Sequence, residues 1–490
     1  MADSPLILMG INQLASALSL AMPGVELISF YGNDAAGFSS VSIDSRNVEA
    51  GALFVALQGT YSDGHRYVAS AFAKGASAAL VNRGAVPEFV DTARRFQRAL
   101  FVVDDTLRGL QEAARAYLAL FPSFIRIGIT GSSGKTTTKE LAGAMISAEK
   151  PVVMNEGNLN SETGLPLSVF KVRAWHKAGI FEMGMNRQGE IAELAHVLQP
   201  HIALITNIGT AHIGMLGSQA QIAREKKAIF AEFTGNEIAL LPADDEYAAF
   251  LAENVKGNVR FFDEECFPEL GQIRDCGLEG SEIEWDGQTV RFSLPGRHNV
   301  KNVLAAAAIA QQISVSAASI RQGIESFKPL FGRSEVLRGP ITVIRDCYNA
   351  NPESMAAAIQ FCDSLEWQGR RVYVLGSMLE LGDDSAGAHQ RLGSIVAESR
   401  ADEVFLFGKE TELTAEALSS ANRKVSFVHT DDINTLTDAL AQTVREGDVV
   451  LLKGSRGCAL ERLMSVLQHR DSAVCKHSTT KEECFNQYVS

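Results

Sequence analysis

The stretch Gly128-Ile-Thr-Gly-Ser-Ser-Gly-Lys-Thr-Thr-Thr-Lys-Glu140 places a lysine and several hydroxyls directly behind a glycine-rich turn. An apolar run, Ile125 to Ile129, leads into it, and a helical pattern follows. Successive backbone N–H groups in such a turn form an anion nest, and the helix N-terminus adds partial positive charge. Lys135 can reach the outer phosphates of a nucleotide, and Thr136 can set its hydroxyl on Mg2+. Gly131, Ser132, Ser133, Gly134, Lys135, Thr136 and Thr137 therefore predict an ATP site. The spacing departs from the common phosphate loop, because Ile129 stands where glycine is usual. A tight turn without a ligand is the alternative reading.

Functional side chains in open parallel sheets sit just past the C-terminal ends of strands. Glu182 ends the apolar run from Ala178, where a carboxylate can hold Mg2+ against phosphates. A helix-capping or surface acid is the alternative. His212 follows Ile202-Ala-Leu-Ile-Thr-Asn-Ile-Gly209, and a satisfied loop histidine is its alternative. Lys226, in Ile222-Ala-Arg-Glu-Lys-Lys-Ala-Ile-Phe230, reads on composition alone as a solvated helix lysine. Asn299 and Asn302 share one helical face, so their amides can meet one ligand such as adenine; Asn299 can instead cap the helix. Further on, Asp346 and Tyr348 follow a strand, and Lys453-Gly-Ser-Arg-Gly457 follows another with two cations and two glycines. That pair of segments describes one rim of a cleft.

These groups need a frame. The sequence predicts three α/β domains: a small N-terminal module over 1–105, a central phosphate-loop domain with a mostly parallel sheet over 106–333, and a Rossmann-like domain over 334–468. A tail occupies 469–490. Strands are expected at Val41 to Asp44, Leu53 to Ala56 and Ala78 to Val81 in the first. In the second they are expected at Ile125 to Ile129, Ala178 to Phe181, Ile202 to Thr206 and Ile238 to Leu241. Helices fall between, the pattern of a parallel sheet. Residues 256–294 show short alternating runs and read as an antiparallel β insert. Asn299 to Gln312 reads as a buried alanine-rich helix. The third domain is expected to carry strands Ile341 to Arg345, Arg371 to Leu375, Val404 to Phe407 and Val449 to Leu452.

The 490 residues are 46% hydrophobic and 21% charged, enough for sizeable cores and against wholesale disorder. A net charge of −13 argues against a nucleic-acid-coating surface. The seven cysteines form no metal-binding spacing and read as reduced thiols of a cytoplasmic protein. No signal peptide and no membrane span are expected.

Taken together, the chain resembles the Mur ligase family of ATP-dependent amide-forming enzymes. Thr130-Gly-Ser-Ser-Gly-Lys-Thr-Thr137, Glu182-Met-Gly184, Gly296-Arg-His-Asn-Val-Lys-Asn302 and Lys453-Gly-Ser-Arg-Gly457 carry the likeness in order and spacing. Asp44-Ser-Arg46, Phe54-Val-Ala-Leu-Gln-Gly59, Asp63-Gly-His65, Tyr348-Asn-Ala-Asn-Pro-Glu-Ser-Met355 and Leu375-Gly-Ser-Met-Leu-Glu-Leu-Gly382 are similar to the branch that uses a dipeptide amine. The resemblance implies addition of D-alanyl-D-alanine to UDP-N-acetylmuramoyl-tripeptide through an acyl phosphate, with ATP and Mg2+; a monomer is the default expectation. Another amino acid ligase of the superfamily, or a P-loop ATPase that ligates nothing, is the alternative.

By position, the resemblance implies that Ser45 and Arg46 face the uridine nucleotide and that Asn158, Asn160, Ser161 and Glu162 line the sugar-peptide route. Tyr348, Asn349, Asn351, Lys453, Ser455 and Arg456 become substrate contacts. Asn302, Arg333 and Asp346 meet ATP, with Lys135, Glu182, His212 and Lys226 as the catalytic set. Thr136, Glu182 and His212 would organise metal, joined by Lys226 if CO2 carbamylates it. Ser377, Thr163 and Lys227-Ala228 depart from the usual family residues.

Overall fold

The computed structural model describes residues 6–31, 37–59, 62–422 and 425–468. The expected tail at 469–490, with Cys475 and Cys484, lies outside the described residues. The chain divides into two compact units. The first comprises 1–274, 282–292 and 297–327, and the second 275–281, 293–296 and 328–490. The first unit contains both the N-terminal and the central sheet, so the three expected α/β domains occupy two compact bodies.

The N-terminal sheet runs Glu26–Ser29, Ala99–Val103, Ala78–Asn82, Ala52–Val55, Ser40–Ser42 in spatial order. Its strands are parallel except the antiparallel edge Glu26–Ser29. Ala52–Val55 is an unbroken apolar run because both of its faces are covered. Leu53 and Val55 join one core, and Phe54 joins another with Phe72 and Val102. The first of these cores continues without a break into the central sheet, as far as Leu251.

The central sheet has six parallel strands in the order Asn258–Phe262, Ile238–Pro242, Ile202–Ile205, Ile125–Thr130, Ala178–Glu182, Val152–Met154. The chain crosses from one side of Ile125–Thr130 to the other between Ala178–Glu182 and Ile202–Ile205. That reversal is the switch point at which an open parallel sheet makes its ligand crevice.

One expectation is corrected here. Asn258–Phe262 is not part of an antiparallel insert but a parallel edge strand of the central sheet, in register with Ile238–Pro242. An edge strand covered on one side reads as half polar, which disguised it. The separate β element is a three-stranded sheet of Leu270–Asp275, Ser281–Trp285 and Gln288–Phe292. Its last two strands join through Asp286 and Gly287, both at positive φ (52° and 69°), the geometry of a type I′ hairpin turn.

The second unit holds a six-stranded sheet in the order Glu335–Leu337, Thr342–Asp346, Val449–Lys453, Arg371–Gly376, Glu403–Phe407, Ser426–Thr430. All neighbours are parallel except the edge Glu335–Leu337. The two edge strands were not legible in sequence, being short and polar in part. Cys347, Cys362 and Cys458 are free and buried in this unit. Burial pushes the Cys347 and Cys458 thiols up to about 11, so both pack as neutral groups.

Candidate active site

The glycine-rich loop leaves the central strand Ile125–Thr130 and enters the helix Lys135–Ser147. Gly131 has φ 148°, and a Cβ there would lie 1.8 Å from Thr206 Oγ1. Gly134 has φ 78°, and a Cβ would lie 2.2 Å from Asn302 Oδ1. Both positions therefore demand glycine on space as well as conformation.

The neighbouring strand end staples this loop. Thr206 Oγ1 donates to the Ser133 carbonyl at 2.6 Å, and the Asn207 carbonyl accepts from Ser132 N at 3.0 Å. The Asn207 side chain accepts from Ser133 N at 3.1 Å and donates to Ser133 O at 3.2 Å. Two loop amides expected to face an anion are thus bonded to Asn207, which leaves the helix N-terminal turn to supply donors. Sequence reasoning missed Thr206 and Asn207; their place at a strand C-terminus was the available signal.

Glu182 ends its strand and is 3% exposed. Its carboxylate accepts from Thr136 Oγ1 at 2.7 Å and from Asn160 Nδ2 at 2.8 Å. It is neither a helix cap nor a surface acid. It joins the nucleotide loop to the segment predicted for the sugar-peptide route.

Lys226 is corrected from solvated to buried, at 1% exposure. Its helix Gln219–Lys227 turns it inward, where Nζ donates to the Gly131 carbonyl at 2.9 Å. Lys135 Nζ donates to the same oxygen at 2.7 Å. Burial first, and the Lys135 charge second, hold the Lys226 amine well below the ordinary lysine range. Neighbouring Glu225 pulls the other way but is engaged in capping Glu190–Leu198, accepting from Gly189 N and Ile191 N at 2.8 and 3.0 Å.

The remaining residues predicted in this unit fall around that centre or apart from it. Asn302 is buried, 3.4 Å from Thr138 Oγ1, and donates to Asn299 Oδ1 at 3.1 Å. Their helix begins at Arg297, so Asn299 lies inside it rather than at its cap. Half-buried His212 has φ 65° and heads the short helix Ile213–Leu216. The Asn158 carbonyl accepts from Asn160 N at 2.8 Å. Ser161 Oγ accepts from Gly164 N at 3.2 Å and lies 3.3 Å from Thr163 Oγ1.

Glu162 pairs with Arg187 at 2.5 Å, and Arg187 also meets Glu193. In the N-terminal sheet region, Ser45 is buried, while the Arg46 side chain is 86% exposed and pairs with Asp44 at 2.8 Å. His65 Nε2 accepts from Asn82 N at 2.9 Å, so Nδ1 carries the proton donated to Asp63 at 2.7 Å.

In the second unit, Asp346 ends its strand and pairs with buried Lys453 at 2.7 Å. It also accepts from Ser334 N at 3.0 Å. The Arg333 guanidinium lies over the Tyr348 ring, 4.0 Å from its centroid. Asn349 Oδ1 accepts from Ala350 N, and Asn351 forms a capping box with Ser354 for the helix Pro352–Ser364. Ser455 Oγ accepts from Leu379 N at 2.9 Å, and Arg456 pairs with Glu461 at 2.5 Å. Asn351, Lys453 and Ser455 thus hold the loops that carry Tyr348, Asn349 and Arg456. Ser377 bonds the Phe407 carbonyl through its own N–H at 2.9 Å.

The donor set suits Mg2+. No group of three or more His, Cys, Asp or Glu gathers for a metal among the described residues. Mg2+ does not need one, since it takes one or two hard oxygen ligands plus phosphates and water. Thr136 donates its proton to Glu182, which leaves the hydroxyl lone pairs for a cation.

Three family profiles cover the chain in sequence. These are the Mur ligase family catalytic domain over 37–118, the Mur ligase middle domain over 129–310 and the Mur ligase glutamate ligase domain over 332–456. The chain belongs to the Mur ligase family. Within it, the chain is 46% identical to the UDP-N-acetylmuramoyl-tripeptide–D-alanyl-D-alanine ligase of Treponema pallidum, over 89% of this chain and 95% of that protein. Among solved structures it is similar to MurF from Acinetobacter baumannii, with a TM-score of 0.81 and 31% identity over 95% of this chain and 99% of that one. MurF from Thermotoga maritima in complex with ADP matches with a TM-score of 0.74 and 29% identity, over 87% of this chain and 96% of that one.

Proposed function

We propose that this chain adds D-alanyl-D-alanine to UDP-N-acetylmuramoyl-tripeptide, using ATP and releasing ADP and phosphate, to make a peptidoglycan precursor. One observation carries the reading: the Glu182 carboxylate bonds Thr136 of the nucleotide loop through one oxygen and Asn160 through the other. A phosphoryl donor and a carboxylate acceptor brought to those two sides would meet at one point.

A carboxylate is a poor acyl donor, because its leaving group would be oxide. Attack of the tripeptide carboxylate on the γ-phosphorus of ATP breaks the bond to ADP and gives an acyl phosphate. The dipeptide amine then attacks the acyl carbon, loses a proton, and expels phosphate. Lys135, released from Gly131, would follow the charge that spreads over the transferred group. Bound Mg2+ would supply charge neutralisation at Thr136 and Glu182, with His212 in support. Burial favours the uncharged Lys226 amine, the form that reacts with CO2, and a carbamate there would put an anionic oxygen ligand in its place. Asn302, Arg333 and Asp346 are assigned to the nucleotide. Ser45, Arg46, Asn158, Ser161, Glu162, Tyr348, Asn349 and Arg456 are assigned to the other substrates.

The domain limits we assign are 1–105, 106–333 and 334–468. No helix among the described residues is long and apolar enough to cross a membrane, and a cytoplasmic monomer fits substrates of this kind. The test is phosphate release with ATP, Mg2+ and UDP-N-acetylmuramoyl-tripeptide, with and without D-alanyl-D-alanine. Release that requires the dipeptide, with equimolar UDP-pentapeptide, is expected. Release indifferent to both substrates would instead establish a P-loop ATPase that ligates nothing.

A further inference from the structure

Asn155 lies just past the edge strand Val152–Met154, which pairs with Ala178–Ile180 and then leaves the sheet. The Glu182 peptide, two residues beyond that pairing, needs partners on this side. The Asn155 side chain provides them. Its Oδ1 accepts from Glu182 N at 2.9 Å, and its Nδ2 donates to Glu182 O at 3.0 Å and to Leu159 O at 2.9 Å. One acceptor and both amide hydrogens are used, which also settles the amide orientation. The side chain stands in for a peptide unit of a strand that is no longer there.

The Asn155 main chain makes a further link. Its carbonyl accepts from Lys139 Nζ at 2.6 Å. Lys139 is buried, paired with Glu140 at 2.9 Å, and lies one turn beyond Lys135 on the nucleotide-loop helix. Asn155 itself is 1% exposed. Three structures therefore meet on this residue: the helix that carries Lys135 and Thr136, the peptide that carries Glu182, and the loop that brings Asn160 to the Glu182 carboxylate.

We propose that Asn155 is a positioning residue, which fixes Glu182 in the place where its carboxylate spans Thr136 and Asn160. The proposal rests on the reading of Glu182 as a Mg2+-nucleotide group. Asn155 acts through Glu182 and touches no reacting atom. Groups that orient a metal-binding side chain commonly govern metal affinity about tenfold or more, and a displacement of about 1 Å at a reacting centre costs about 100-fold in rate.

The decisive variant is Asn155→Asp, which is isosteric. It keeps the acceptor for Glu182 N but turns an oxygen toward two carbonyls. Asn155→Ser is the second, lacking the amide altogether. For each, thermal stability, affinity for a fluorescent ATP analogue in EDTA, and the Mg2+ concentration that half-tightens that affinity would be measured beside kcat and KM. The expected result is unchanged binding in EDTA, an upward shift of about tenfold in the Mg2+ midpoint, and a kcat lowered about 100-fold with little change in KM. A Mg2+ midpoint and kcat within twofold of wild type, in either variant that folds, would make Asn155 a sheet-completing residue only and overturn the proposal. A wild-type protein whose nucleotide binding ignores Mg2+ would overturn the reading of Glu182 itself, and the proposal with it.

Discussion

Lys135 and Lys226 donate to one acceptor, the Gly131 carbonyl oxygen, at 2.7 and 2.9 Å. Two ammonium groups on one oxygen repel each other. The fully buried member, Lys226, has the lowered proton affinity. A neutral amine can still donate an N–H to Gly131 while keeping a lone pair for chemistry. The fold thus favours the uncharged form of a buried amine beside the nucleotide loop.

Replacement of Lys226 by alanine is expected to lower ligation by at least about 100-fold, in the range of losing an essential electrostatic group. High bicarbonate should not restore it, because no amine is left to carbamylate. Wild-type protein in 13C-bicarbonate should show a carbamate carbon signal that the variant lacks. Near-normal turnover in Lys226→Ala would remove the carbamate role.

Gly134→Ala and Gly189→Ala separate strain from obstruction. Both glycines have positive φ, 78° and 86°, but a Cβ at Gly189 meets nothing within 4 Å while one at Gly134 meets Asn302. Gly189→Ala should cost about 1 kcal/mol of stability and spare nucleotide binding. Gly134→Ala should cost more and weaken ATP binding strongly, because the loop must move off Asn302. Equal ATP affinity in the two variants would show that the Asn302 contact does not set the loop.

Glu182→Gln keeps the shape of the side chain and one acceptor oxygen. Its amide nitrogen must then face either Thr136 or Asn160, both donors in the wild type. The kcat should fall about 100-fold or more with melting temperature little changed, and the Mg2+ requirement should rise. The idea fails if steady-state kinetics give a wild-type kcat at ordinary Mg2+.

His389 supplies a pH dependence. It is fully buried, its Nε2 accepts from Met378 N at 3.1 Å, and its Nδ1 proton is donated to the Ser385 carbonyl at 2.8 Å. Burial lowers its pKa below the usual 6.5. The unfolded chain therefore takes up a proton near 6.5 that the folded chain refuses until lower pH. The stability that depends on neutral His389 is complete above 6.5 and falls as pH drops through that window, by about 1.4 kcal/mol for each unit of depression. Denaturant unfolding of wild type and His389→Gln at pH 7.5 and 5.5 should show the gap between them shrinking at the lower pH. A gap of equal size at both values would refute the assignment.

Much of the fold was legible because parallel strands covered on both faces are written as short apolar runs. Ala52–Val55, Ala178–Glu182, Ile202–Ile205 and Val449–Lys453 all read that way, and the helices between them forced the parallel arrangement. Strands at the sheet margins, Glu335–Leu337, Ser426–Thr430 and Asn258–Phe262, were missed or misassigned, since one open face dilutes the apolar signal.

By itself, the sequence determined the glycine loop with Lys135 and Thr136, the place of Glu182 at a strand end, and family membership. Each is encoded locally, in residue type and spacing along a few turns or one strand. Tertiary structure alone decided that Lys226 is buried on Gly131, that Thr206 and Asn207 staple Ser133, and that Asn155 holds Glu182. Those contacts join residues 95, 73, 74 and 27 positions apart. They exist because the sheet sets Ile125–Thr130 between two strands that come later in the chain and sets Val152–Met154 beside Ala178–Glu182, and local periodicity does not record which strand becomes whose neighbour.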